Sequence, residues 1–119
     1  NGTGSYDRIH ELANINDFSG KWNHWAFTKD INNGEMKAFL NGQLFMSGIS
    51  KTRSMAGIVK FRIGGNAAAN FNGVYDGKID EFRVWNKALD NITIKSWMNK
   101  TIDSSHSFYS NLLRKVSRL

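Results

Sequence analysis

Apolar and polar residues in the middle of the chain alternate with the two-residue period of a half-buried strand. In EMKAFL, residues 35–40, Met36, Ala38 and Leu40 fall on one face, and Glu35, Lys37 and Phe39 on the other. Asn41-Gly42 follows at once, and QLFMSG (43–48) resumes the apolar content. Two strand-like runs joined by Asn-Gly predict a hairpin, because a type I′ turn needs positive φ at both central residues. Upstream, WNHWAFT (22–28) is rich in aromatics and predicts another strand. Trp22, His24, Ala26 and Thr28 point one way, and Asn23, Trp25 and Phe27 the other. Both faces carry large groups, so both should be at least partly covered. DINNGE then supplies a turn through Asn33-Gly34.

The same reading predicts a strand over IVKFRIGG (58–65), a loop over NAAANFNG (66–73), and a second hairpin. That hairpin joins a short strand at 73–75 to KIDEFRVW (78–85) through Asp76-Gly77. Asp90 is placed to cap a short helix over NITIKSWMNK, with Leu89, Trp97 and Met98 docking it on a sheet. The first twenty residues are polar and turn-rich and read as a loop with one short strand or turn. In the tail, Leu112, Leu113, Val116 and Leu119 fit a helical stripe, while Phe108–Leu113 also suits a strand. Five or more short strands with Gly and Asn turns predict an all-β, antiparallel sandwich or barrel.

Composition narrows the chemistry. With 119 residues the chain suits one domain, 1–119. It has no cysteine, which excludes thiol chemistry, disulfides and cysteine-zinc sites. It has no proline and 11 glycines, so Gly, Asn and Asp must make the turns. The mean hydropathy is −0.46 and no apolar run approaches the roughly 18–20 residues that span a bilayer, which excludes membrane insertion by a helix. The net charge is +6, but the basic residues are scattered singly except for Arg114, Lys115 and Arg118, a pattern of solvated surface rather than of a nucleic-acid footprint.

The order of these pieces is itself informative. A Trp-His-Trp-Ala strand (WNHWAFT), a hairpin built on GEMKAFLNGQL, a strand ending FRIGG, then FNGVYDGKIDEFRVWNKAL and a short helix resemble the laminin-G-like, pentraxin-like modules of secreted bacterial multidomain proteins. The resemblance covers about 22–98; residues 1–21 and 104–119 match poorly. It implies a concanavalin-A-like jelly roll, an antiparallel β-sandwich with one short C-terminal helix. Such modules carry another group of strands before the Trp-His-Trp-Ala strand. The chain therefore reads as the C-terminal part of one, its gap filled by a homo-oligomer partner or by other parts of a longer chain. The resemblance also implies a secreted or cell-surface location and a non-catalytic role, either carbohydrate binding and adhesion or a structural spacer that contacts a surface protein.

Candidate site residues follow from both sources. Asp80 and Glu81 are sequence neighbours, which on a strand face opposite ways and cannot form one catalytic pair. Glycan-cleaving jelly rolls place acids two apart in one cleft, and this strand continues Asp80, Phe82, Val84. Asp80 is expected to be inward and hydrogen-bonded; alternatively, as the resemblance implies, it is a ligand of a structural Ca²⁺. Glu81 is expected at the surface facing Arg83. His24 has no HxxxH or HExxH partner and reads as structural, and Gly64-Gly65 as a bulge or tight turn. Of the four tryptophans, Trp25 is the candidate sugar platform, and Asn66, Asn70 and Asn72 of the NAAANFNG loop are the candidate polar ligand contacts.

Overall fold

The computed structural model describes residues 6–57, 63, 65 and 75–116. They fall into two units, one formed by residues up to Ser54 with Asn86–Asn111, the other by residues from Met55 to Trp85 with those from Leu112 onward.

The first unit is built on three antiparallel strands in the order β1 (Trp25–Asp30), β2 (Glu35–Leu40), β3 (Gln43–Gly48). The predicted Asn41-Gly42 hairpin is present, with φ of 51° at Asn41 and 75° at Gly42, both in the left-handed region a type I′ turn demands. Asn41 does a second job: its side-chain oxygen accepts the His24 N–H at 2.9 Å, while its own N–H donates to the His24 carbonyl at 2.8 Å. These bonds carry the β1–β2 pairing past Trp25↔Leu40. The register shifts between Ala38 and Phe39: Ala38 faces Met46 and Phe39 faces Leu44, so Phe45 is the extra, bulged residue.

Ala38 and Phe39 are adjacent on β2 and point to opposite faces, yet both are buried. The central strand is thus covered on both sides, whereas β1, expected to be partly covered on both faces, leaves Trp25 36% and Phe27 72% exposed. One cover is the helix α2 (Asn91–Trp97), which packs against β3 and buries Ile94. Asp90 caps it as expected, its Oδ1 accepting the Thr93 N–H at 2.7 Å. Beyond α2, Ile102 and His106 are also buried; His106 lies 4.7 Å from the Trp97 ring and accepts the Phe108 N–H on Nδ1 at 3.0 Å. The N-terminal stretch contains one helical turn, α1 (Ile15–Phe18), capped by Asn14, in agreement with the expectation of a loop with a short turn.

Ahead of α1, the Asp7 carboxylate fastens the stretch to the sheet unit. Its Oδ2 meets Lys29 Nζ at 2.5 Å and accepts the Arg53 N–H at 2.9 Å. The Lys29 hydrogen bond, with the Arg53 N–H and both cations beside it, holds the Asp7 carboxyl below the usual carboxylate range. The Thr93 N–H does the same for Asp90. A carboxyl depressed on folding adds stability above its unfolded value and loses it as the pH falls through the folded one. The melting temperature should therefore be flat near neutrality and fall below about pH 4. Asp7→Asn should lower it at neutral pH and flatten that acid limb; an unchanged limb would contradict the assignment.

The second unit contains β4 (Phe82–Trp85) paired antiparallel with β5 (Leu112–Val116). Two expectations change here. The tail is neither a helical stripe nor a strand from Phe108: a 3-10 turn at Tyr109–Asn111 leads into β5, and Arg114, Lys115 and Val116 continue the strand. Residues 78–81, expected in a strand, lie ahead of it; Glu81 has φ of 50°, and this left-handed kink limits the extended backbone to Phe82 onward. The Asp76-Gly77 bend is present, but among the described residues KIDEFRVW forms a ladder only through its last four residues, paired with β5. The strand expected over 58–65 lies outside the described residues except for Ile63 and Gly65, and the strand at 73–75 except for Tyr75.

Candidate functional site

Strand alternation and register assemble a concavity on one face of the three-stranded sheet. Asp30 pairs with Glu35, Thr28 with Lys37, and Ala26 with Phe39 across β1 and β2. Phe39 pairs in turn with Leu44 on β3. These side chains share the face opposite Trp25 and Phe27. Thr28, Asp30, Glu35, Lys37, Phe39 and Leu44 line a groove of about 320 Å³, together with Asn33 from the β1–β2 turn. Ala88, Leu89, Asp90 and Asn91, just before and at the start of α2, form its other wall. The volume lies at the lower end of the roughly 300–1,000 Å³ typical of small-ligand sites.

The groove has an apolar base and a polar rim. Phe39, only 3% exposed, and Leu44 and Leu89 supply the apolar part. On the rim, Glu35 Oε2 accepts Lys37 Nζ at 2.7 Å and Asn33 Nδ2 at 3.3 Å, while Asn33 Oδ1 accepts the Glu35 N–H at 2.9 Å. Asp30 Oδ1 accepts the Asn32 N–H at 2.9 Å. Asp90 is held by its helix cap. Asp30 and Glu35 are each anchored through one oxygen and Asp90 by its helix cap, so the rim presents oriented acceptors that need little reorganisation on binding.

The acids of this groove were not legible as a cluster. The expectation that no acidic pair shares a cleft considered Asp80 and Glu81 and does not extend to Asp30, Glu35 and Asp90, which the fold brings together. The signal available was the four-residue loop from Ile31 to Gly34, which sets Asp30 opposite Glu35 once the hairpin closes. Nothing in the local sequence points to Asp90, 55 residues beyond Glu35 in the chain.

The residues singled out from sequence fall elsewhere. Trp25 is on the opposite face of the sheet, parallel to Phe27 with ring centroids 6.1 Å apart and edge-on to Phe45 at 5.4 Å. It is 36% exposed and Phe27 72%. One small ligand cannot touch Trp25 and the groove together. Asn66, Asn70 and Asn72 lie outside the described residues. Asp80 is exposed rather than inward, and its Oδ1 accepts the Glu81 N–H at 2.8 Å. Glu81 does face Arg83, with 3.2 Å between Oε2 and Nη2. Among the described residues no three His, Asp or Glu side chains come together in a way that would hold a metal ion. The described residues alone thus do not fit a side-chain Ca²⁺ cage at Asp80.

All strand pairs among the described residues are antiparallel, with one short helix packed on the three-stranded sheet, and comparison with known families defines the class. The model of the concanavalin A-like lectin/glucanases superfamily matches residues 1–99, and the chain belongs to that family. The jelly-roll class expected from the sequence is thereby borne out, as is the laminin-G-like resemblance. Among solved structures, the chain is similar to an S-layer domain-containing protein (residues 221–444) from Clostridium thermocellum, at 21% identity and a TM-score of 0.60. That likeness is one of fold; it covers 76% of this chain and 43% of the other. The chain therefore spans less than half of the structure it resembles. No curated protein matches it. Among the described residues no helix is long and apolar enough to cross a membrane.

Proposed function

We propose that the chain is a non-catalytic carbohydrate-binding module of a protein displayed at, or secreted from, a bacterial cell surface. The observation that carries this reading is the groove on the Thr28–Lys37 face of the sheet, with its Phe39 base and its rim of anchored carboxylates, ammonium and amides. Sugars offer apolar C–H surface and many hydroxyls, and such a mixed lining matches both. Family membership supports the reading, since the superfamily is described by lectins as well as glucanases. The similar structure comes from an S-layer domain-containing protein, which supports a surface setting. The binding role is favoured over hydrolysis because Glu35 and Asp90 already accept bonds from Lys37 and Thr93, an arrangement that serves fixed recognition.

Isothermal titration calorimetry against a panel of oligosaccharides tests this. Lys37→Ala, which removes the charged hydrogen bond that orients Glu35, should weaken binding by about tenfold. Trp25→Ala, on the other face, should leave affinity unchanged. Loss of binding in Trp25→Ala alone would move the site to the aromatic face.

A second reading, a spacer that contacts another surface protein, is favoured by the exposed aromatics on β1. Trp25 and Phe27 lie on the edge strand of the three-stranded sheet and Trp22 just precedes it, and exposed apolar groups at a sheet edge suit protein contact. If that reading holds, no oligosaccharide binds, and Phe27→Ser abolishes association with the partner chain.

A further inference from the structure

Resting on the groove as a glycan site, we propose that it selects sugars rich in hydrogen-bond donors, neutral hexoses and hexosamines, and rejects uronic and sulfated ones, with Asp30 as the specificity-determining residue. The inference runs against the bulk charge. At +6, the chain as a whole would draw acidic polymers. The groove is different: among the described residues, Asp30, Glu35 and Asp90 stand there against a single ammonium, Lys37. That ammonium is already committed to Glu35 at 2.7 Å.

What the rim leaves open is acceptor capacity. Asp30 uses Oδ1 for the Asn32 N–H and Glu35 uses Oε2 for Lys37 and Asn33. Asp30 Oδ2 and Glu35 Oε1 have no hydrogen-bond partner among the described residues, and both residues line the groove. An ionised carboxylate accepts and cannot donate. A hydroxyl or an ammonium satisfies it; a uronate or sulfate brings a second set of acceptors and a like charge. Glu35 is screened by Lys37, so Asp30, with only a backbone N–H on its carboxylate, dominates the discrimination. Sites that hydrogen-bond a ligand group reject analogues lacking it far more strongly than apolar sites do.

The test uses the 119-residue chain, with its folding checked by circular dichroism, and three tetrasaccharides: glucosamine, N-acetylglucosamine and galacturonic acid. Binding is followed by titration with NMR mapping to the groove amides. The glucosamine and N-acetylglucosamine probes should bind at the groove at least tenfold more tightly than the galacturonate. Asp30→Asn keeps an oxygen for the Asn32 N–H and should cut the preference for glucosamine at least fivefold. Galacturonate bound at the groove as tightly as the other two, or a preference unaltered in Asp30→Asn, would overturn the selectivity and leave the glycan site standing. If none of the three, nor any glycan of a wider panel, perturbs groove amides, the site and its selectivity fall together.

Discussion

Phe39→Ala is expected to destabilise the protein by about 3–5 kcal/mol, the cost of removing a buried aromatic ring from a site that cannot collapse around it. Phe39 is 3% exposed on the middle strand of the three-stranded sheet, with strands on both sides fixing its backbone. Domains of this size hold only about 5–15 kcal/mol in total, so the variant would retain little reserve. Urea denaturation checks it: the midpoint should fall sharply with an unchanged slope. Phe39→Leu should recover a large part of the loss and, because the residue forms the base of the groove, part of any ligand affinity. A loss below about 1 kcal/mol in Phe39→Ala would mean the ring packs against less than its burial implies.

The second large effect is expected at Gly42. This residue sits at φ of 75° in the β2–β3 turn. A Cβ added there would lie 3.1 Å from Lys95 Cγ and 3.2 Å from Met98 Sδ at the C-terminal end of α2. A side chain in the left-handed region costs about 1–2 kcal/mol, and overfilling a packed contact about 1–3 more. Gly42→Val combines both penalties, with β-branching making the backbone cost worse, and should destabilise by about 3 kcal/mol. Gly20, at φ of 73° with open space around it, separates the two causes: Gly20→Val carries the backbone penalty alone. Equal losses at the two positions would show that α2 does not press on the turn.

The hairpin from Glu35 to Gly48 was legible because two independent signals agreed. Alternation set the faces, and Asn41-Gly42 set the register. The cap at Asp90 was legible for a similar reason, an acceptor side chain directly before a helical run. Residues 78–81 were misleading: their composition suits a strand, but Glu81 adopts a left-handed conformation that shortens it, and nothing local announces that. The strand at Leu112–Val116 was hidden because Leu112, Leu113 and Val116 fit a helical spacing as readily; pairing with Phe82–Trp85, a contact across some thirty residues of chain, decides it.

The groove was half legible. The faces Thr28 and Glu35-Lys37-Phe39 were both readable from alternation. Joining them required the register of the Ile31–Gly34 turn, and closing the wall required the segment Ala88–Asn91 to fold back. Trp25 drew attention as a large aromatic, but alternation itself places it on the face away from Thr28. Chemistry-bearing residues in an antiparallel sheet are best sought by face and register, not by residue type alone.

The proposal places the carbohydrate on one face of the sheet, the Thr28–Lys37 face. Titrating the ¹⁵N-labelled protein with a neutral oligosaccharide tests it most directly. A sugar seated in the groove should shift only the amides of Thr28, Asp30, Lys37, Leu89 and Asn91, while Trp25 and Phe27 stay in place. Shifts centred on Trp25 and Phe27, with the groove amides unmoved, would contradict it.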